Sequence, residues 1–130
     1  MLIEVFLWIY IYLVILVIFA ISLYGIVFRP NILKKIIALT IFADTANTLM
    51  ILVGYRFIYP VSPPIITSIK PTPEQIREFV KVAVDPIPPA LVITAIVINM
   101  AVTLLITFLA IQAYRLYGSL DARKIAKLKG

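Results

Sequence analysis

The residue with the clearest potential for ion chemistry is Asp44, an acid near the middle of a long apolar stretch at 36–55. A carboxylate at the centre of a bilayer costs roughly 2.5–3.5 kcal/mol, so Asp44 is expected to face protein or a water-filled cavity. Helical spacing of three or four residues places Thr40, Asn47 and Thr48 on the same side of the helix. Two interpretations stay open: Asp44 relays a proton or cation, or it anchors this helix to another helix or subunit by hydrogen bonds.

A second group of polar side chains lies in a later apolar stretch at 87–114. It consists of Thr94, Asn99, Thr103 and Thr107, again at approximately helical spacing. For the Thr and Asn residues of both stretches, hydrogen bonding between helices is the plainer interpretation. The candidates for an ion or proton relay are therefore Asp44 first, then Thr40, Asn47, Thr48, Thr94 and Asn99.

The composition excludes several other kinds of chemistry. The chain has no His and no Cys, which removes thiol nucleophiles, disulfides, zinc sites and His-based acid–base catalysis. Only four glycines are present, and they form no phosphate-binding Gly-rich motif. We therefore predict no catalytic residue, no cofactor and no metal site, so ion chemistry would rest on carboxylates, hydroxyls, amides or lysines.

The elements that carry these residues are predicted from hydropathy. Of the 130 residues, 63% are hydrophobic and only 14% are charged, which is too apolar for a soluble domain or a soluble enzyme. The stretches 5–28, 36–55 and 87–114 are each long enough, at about 1.5 Å per residue, to cross a hydrocarbon core of about 30 Å. The prediction is an all-α integral membrane protein, a single domain over 1–130 with three transmembrane helices.

The basic residues indicate orientation in the membrane rather than nucleic-acid binding, despite a net charge of +6. The turn at 29–35 and the tail at 115–130 are basic, whereas the loop at 56–86 is nearly balanced. Because Lys and Arg in short loops tend to stay in the cytoplasm, the tail is predicted inside, with the N-terminus and the long loop outside. Tyr55 and Tyr59 would then lie in the outer aromatic belt.

The outer loop carries the signal for a short amphipathic helix at 73–84. Thr72 is a typical N-cap residue, Pro73 suits the first helical position, and Gln75 completes a capping box. Apolar residues follow at helical spacing. This helix is therefore expected to rest on the outer membrane surface or on a partner subunit.

Two stretches resemble known membrane subunits. The stretch 29–39, RPNILKKIIAL, resembles the turn and early second helix of the K-type membrane subunit of respiratory complex I. The stretch 85–98, DPIPPALVITAIVI, is similar to the signature of the C subunit of Mrp-type cation/proton antiporters. The resemblance implies a small cell-membrane subunit that works in Na+ and proton transport beside larger antiporter-like subunits. Such modules also occur in complex-I-like assemblies, including archaeal membrane-bound hydrogenases and sulfur-reducing complexes.

K-type subunits carry one glutamate on the second helix and another on the third, and the resemblance places these positions at Thr40 and Ala95. Neither side chain can ionise. Asp44 lies one turn beyond the first position and would replace it in part, whereas Asn99 stands where a glycine is expected. The resemblance therefore implies that a complete proton relay would need other subunits.

Three functional hypotheses follow. In the first, Asp44 belongs to a chain of ionisable groups that spans several subunits; in the second, the protein only seals and positions neighbouring channels. The third is a small homo-oligomeric cation exporter, but such exporters usually have an essential acid inside the first helix, and here Glu4 precedes the span. Three helices with one acid are too few to enclose a transport pathway alone, which favours a subunit.

Overall fold

The computed structural model describes residues 1–55 and 62–127. Within these residues it contains no β-strand and five helices: α1 (Leu2–Phe28), α2 (Ile32–Val53), α3 (Pro73–Val82), α4 (Ile87–Tyr117) and α5 (Ala122–Lys127). Three of them, α1, α2 and α4, are long and apolar enough to cross a membrane. The predicted all-α fold with three transmembrane helices is confirmed, while Tyr59 of the predicted aromatic belt lies outside the described residues.

Each of the three long helices extends beyond one of the bounds that hydropathy predicts, whereas α2 ends at Val53, two residues before the predicted position 55, with Gly54 as its C-cap. α1 begins at Leu2, because Glu4 is favourable in the first turn and its carboxylate lies 3.7 Å from the terminal amine. α2 begins at Ile32 rather than 36, because the side chain of Asn31 accepts hydrogen bonds from two backbone N–H groups of its first turn. α4 continues to the residue before Gly118, which ends the helix in the left-handed conformation at φ 67°.

α2 is the central helix, since it packs against both α1 and α4. A β-carbon added to Gly25 of α1 would lie 2.8 Å from the β-carbon of Ala38 on α2, so these two backbones approach closely. A β-carbon added to Gly54, directly after α2, would lie 2.7 Å from Cγ of Pro88 on α4. Small residues at such contacts are how apolar helices achieve van der Waals packing in a membrane.

One end of the helix bundle is closed by pairing between the α1–α2 turn and the segment after α4. The backbone N–H of Ile32 donates to the carbonyl of Leu120 at 2.8 Å, and that of Ala122 donates to the carbonyl of Pro30 at 2.8 Å. These two hydrogen bonds join parts of the chain that lie some 90 residues apart. We call this pairing the turn–tail clamp.

The tail predicted only as basic contains the short helix α5. The carboxylate of Asp121 accepts a hydrogen bond from the backbone N–H of Arg123 at 2.9 Å, at the start of this helix. This hydrogen bond, together with the positive charge of Arg123, holds the pKa of Asp121 below its ordinary value, although desolvation acts in the opposite direction.

At the other end of the bundle, α3 has the predicted capping box. The Thr72 hydroxyl accepts a hydrogen bond from the backbone N–H of Gln75 at 3.3 Å. In return, the side-chain oxygen of Gln75 accepts one from the backbone N–H of Thr72 at 3.0 Å. The helix ends two residues before the predicted position 84, because Ala83 turns to an extended conformation. There the N–H of Ser62 donates to the carbonyl of Val82 at 2.9 Å, and Ala83 is buried.

Candidate functional site on the central helix

Asp44 occupies an open side of α2, between the two helix neighbours. At about 100° per residue, it lies about 80° from Ile36, which lines a cleft with α4, and about 120° from Ala38, which contacts α1. Asp44 and the neighbouring Thr48 are exposed in the single chain. Among the described residues, no basic group forms an ion pair with Asp44. Its carboxylate is therefore available to a group outside the chain.

Asp44 also lies deep within the membrane-spanning part of the protein. It stands 12 residues after the first residue of α2 and 9 before the last, or about 18 Å and 14 Å along the helix axis. Exposing an ionised carboxylate to lipid at that depth costs roughly 2.5–3.5 kcal/mol, a factor of about 60 to 300 in an equilibrium constant. The side of α2 that carries Asp44 therefore requires a neighbouring protein or water.

Thr40 and Asn47 lie on the side of α2 that faces α4, at about 40° and 20° from Ile36. Both are half-buried. The Nδ2 amide nitrogen of Asn47 is buried and has no hydrogen-bond partner within residues 1–55 and 62–127. A buried donor without a partner costs about 1–3 kcal/mol. A water molecule or a polar group of a neighbouring subunit would remove this cost.

The polar residues of α4 divide into two groups. Asn99, Thr103 and Thr107 are half-buried, and they share the side of the helix that also buries Val92, whereas Thr94 is exposed. The structure therefore brings the first group towards α2 and leaves Thr94 exposed on the side of α4 that faces away from α2. We use the name α2–α4 seam for the half-buried polar residues on the facing sides of these two packed helices, namely Thr40 and Asn47 on α2 and Asn99, Thr103 and Thr107 on α4.

The antiparallel arrangement of α2 and α4 sets which polar residues share a level in the membrane. The glycine that follows α2 lies against Pro88, near the start of α4. Counting from this contact at about 1.5 Å per residue, Asn99 lies near the level of Asp44. By the same count Ala95 lies at the level of Asn47. The unpaired amide thus stands at the depth where the resemblance places the second family glutamate.

Three of these threonine hydroxyls already donate hydrogen bonds to the backbone of their own helix. The bonds run from Thr40 to Ile36 at 3.0 Å, from Thr48 to Asp44 at 2.9 Å and from Thr107 to Thr103 at 2.7 Å. Each hydroxyl oxygen keeps lone pairs that can accept from water or from a partner. The threonines can therefore support a polar path, while Asp44 alone among the candidates can ionise.

Two buried hydroxyl residues, Ser22 on α1 and Thr45 on α2, are not among the predicted candidates. Their hydroxyl groups donate hydrogen bonds to backbone carbonyls of their own helices at 2.7 Å and 2.6 Å. Small hydroxyl residues are common where membrane helices pack. No spacing signal in the sequence points to these two residues, because neither belongs to a repeated polar stripe.

Comparison with known proteins agrees with this architecture. Residues 10–130 match the family described as NADH-ubiquinone/plastoquinone oxidoreductase chain 4L. A protein of Methanocaldococcus jannaschii described as uncharacterised is 34% identical over 108 residues, which cover 82% of this chain and 78% of that protein. The chain is also similar to one chain of the membrane-bound sulfane sulfur reductase, an archaeal respiratory membrane complex. That similarity has a TM-score of 0.70 and 36% identity, and it covers 86% of this chain and 93% of the other.

Proposed function

The chain belongs to the NADH-ubiquinone/plastoquinone oxidoreductase chain 4L family, and we propose that it is a small, non-catalytic subunit of an Mrp-type Na+/H+ antiporter module within a complex-I-like respiratory complex. The similarity to a chain of the sulfane sulfur reductase, at 36% identity, supports a respiratory membrane complex as the parent assembly. In this role the subunit contributes to proton or Na+ translocation and packs between larger antiporter-like subunits of the cell membrane.

The observation that carries this proposal is the exposed carboxylate of Asp44 in the middle of α2. A protein that worked alone in lipid would bury such a group or lose it, because its ionised form is costly there. In the assembled complex, another membrane subunit contacts the open side of α2 at the level of Asp44 and Thr48. That subunit supplies a titratable or cationic group within reach of Asp44.

The proposed path passes a proton or Na+ between Asp44 and that neighbouring group. Thr48 lies on the same open side, and its hydroxyl oxygen can accept a further hydrogen bond. The α2–α4 seam continues the polar surface inwards through Thr40, Asn47 and Asn99, where bound water would satisfy the Asn47 amide. Thr94 faces outwards and would act only through a partner subunit.

The substitution Asp44→Asn in the intact complex tests the relay. The purified complex would be reconstituted into liposomes, and Na+-driven proton movement would be followed with an entrapped pH-sensitive dye. We expect transport to fall at least tenfold, because asparagine cannot bind and release a proton. All subunits should still co-purify, because asparagine has the size of aspartate and can still form hydrogen bonds. The matched control is Asp85→Asn, since Asp85 lies outside the long helices and its Oδ1 accepts a hydrogen bond from the backbone N–H of Ile87. Normal transport by an assembled Asp44→Asn complex would refute the relay and leave a structural role.

Purification of the tagged subunit from its native membrane separates the subunit role from the exporter. Recovery with antiporter-like and electron-transfer subunits supports the proposal, whereas a stable homo-oligomer would favour a small cation exporter. The proposed orientation, with the tail in the cytoplasm, can be tested with single cysteines, because the natural chain has none. A cysteine at Ser68 should react with an impermeant reagent from outside, and one at Ser119 should not.

A further inference from the structure

An open groove runs between α1 and α2 beside the turn that joins them. Its volume is about 460 Å³. The small residues Gly25 and Ala38 lie at its base, where the two helices approach closely. Its sides are four isoleucines with exposed side chains, Ile18, Ile21, Ile37 and Ile41. The groove is therefore a narrow hydrocarbon surface within the membrane-spanning part of the bundle.

Two basic side chains lie at the end of this groove. Arg29 directly follows α1, and Lys34 lies in the first turn of α2; both line the groove. Neither forms an ion pair with a carboxylate in the part of the chain that the structure describes. The guanidinium carbon of Arg29 lies 5.9 Å from the ring centre of Tyr24, a further lining residue. Basic and aromatic residues at the end of a membrane span lie at the level of the lipid headgroups.

The shape and lining of the groove suit a hydrocarbon chain. From Ile18 to Arg29 the groove is about 16 Å long at the helical rise. Because the groove is open along this length and its sides are isoleucine side chains, an extended acyl chain can lie in it. The two unpaired cations additionally call for an anionic group at one end of the occupant.

We propose that this groove binds an anionic phospholipid, with the lipid phosphate between Arg29 and Lys34 and one hydrocarbon chain between α1 and α2. Both cations can donate hydrogen bonds to phosphate oxygens, and the guanidinium of Arg29 can do so with two N–H groups at once. The site lies next to the turn–tail clamp, so a bound lipid would help to hold the α1–α2 turn in place. The groove lies on the same side of α2 as Asp44 but nearer the α1–α2 turn, so a lipid can occupy it beside a partner subunit that contacts Asp44. The interaction itself does not require Asp44 to carry ions.

Photolabelling of the intact complex in lipid nanodiscs tests the site. The two probes are phosphatidylglycerol, which is anionic, and phosphatidylcholine, which has no net charge; both carry the same diazirine-bearing acyl chain. Labelled positions are identified by mass spectrometry of peptides from α1 and α2. Each basic residue near the membrane surface strengthens the binding of an anionic lipid about fivefold. With both Arg29 and Lys34 present, we expect phosphatidylglycerol to label the isoleucine sides at least tenfold more than phosphatidylcholine does.

The variants locate the charge requirement. Arg29→Gln/Lys34→Gln should reduce phosphatidylglycerol labelling to the phosphatidylcholine level, and the charge-conserving Arg29→Lys/Lys34→Arg should retain it. The control Lys124→Gln/Lys127→Gln removes the same charge from α5 and should leave labelling unchanged.

Three results would overturn the proposal. Equal labelling by the two wild-type probes would show no preference for an anionic lipid. Absence of labelling by both would mean that a partner subunit covers the groove. Undiminished labelling in the Gln variant would exclude Arg29 and Lys34 as the phosphate contacts. If the Gln variant fails to assemble, the comparison of the two probes on the wild-type complex still decides the proposal.

Discussion

Replacing Gly25 by alanine should weaken the contact between α1 and α2. The added β-carbon would lie 2.8 Å from that of Ala38, whereas ordinary van der Waals contact begins at 3.4–4 Å, so the helices must separate by about 0.6–1.2 Å. Neither methyl group has an alternative rotamer that relieves the contact. Overpacking typically costs about 1–3 kcal/mol, and the higher helix propensity of alanine offsets about 1 kcal/mol of this cost. We therefore expect a net loss of about 0–2 kcal/mol of helix-packing stability, centred near 1 kcal/mol.

The single tryptophan of the chain supplies the measurement. The ring of Trp8 on α1 lies 5.3 Å from the ring of Tyr55, which follows α2, so its fluorescence reports whether the two helices remain together. The full chain in mild detergent micelles would be titrated with sodium dodecyl sulfate, and the midpoint of the fluorescence change compared between variants. A loss of about 1 kcal/mol should lower the midpoint with the slope of the transition unchanged.

A double-mutant cycle separates the steric effect from other causes. The variant Gly25→Ala/Ala38→Gly moves the methyl group from one helix to the other, and it should be more stable than the sum of the two single changes predicts. As a control, Ala20→Leu adds more volume to an exposed side of α1 and should leave the midpoint unchanged. An unchanged midpoint for Gly25→Ala, with no coupling to Ala38, would refute the close helix contact.

Two further predictions concern the turn–tail clamp and the α2–α4 seam. The folded-state pKa of Asp121 lies below the ordinary value of 3.8 for this carboxyl. The stabilising contribution of the ionised carboxylate is therefore present above that pH and is lost as the pH falls through the depressed folded value. Hydrogen exchange at the amides of Ile32 and Ala122, corrected for intrinsic rates, should therefore show less protection at pH 2.5 than at pH 5. At the seam, Asn47→Leu should stabilise the isolated subunit by up to about 1–3 kcal/mol, because it removes a buried donor that has no partner in the described chain. The same substitution should lower transport by the complex if seam water takes part in the relay.

Each of these predictions has its own control. Asp121→Asn can still accept the hydrogen bond from the backbone N–H of Arg123 but cannot ionise, so the acid-induced change in protection at the clamp should be smaller in this variant. An equal loss of protection in Asp121→Asn would assign the acid effect to other groups. For the seam, Asn47→Leu is compared with Thr48→Val on the exposed side of α2. Destabilisation of the isolated subunit by Asn47→Leu would show that the amide has a partner there.

The membrane spans were predictable from the sequence because their main requirement is local. In lipid each backbone N–H and C=O must be satisfied within its own segment, so length and apolarity are enough to predict a helix. The start of α3 was predictable for a similar reason, since Thr72 and Gln75 exchange hydrogen bonds within one turn. The bounds were less accurate, because hydropathy does not register a polar cap such as Asn31 or an acid in a first turn such as Glu4.

Only the tertiary structure decided how the helices face one another and which polar groups meet. The long helices are apolar nearly all around, so periodicity contains little information about which side of α2 contacts α1, which contacts α4 and which stays open. That lateral packing determines the exposed position of Asp44, the unpaired amide of Asn47 and the groove between α1 and α2 that ends at Arg29 and Lys34. The turn–tail clamp likewise joins residues far apart in the chain. Local composition specifies that these segments are membrane helices, and side-to-side contacts specify where their few polar groups point.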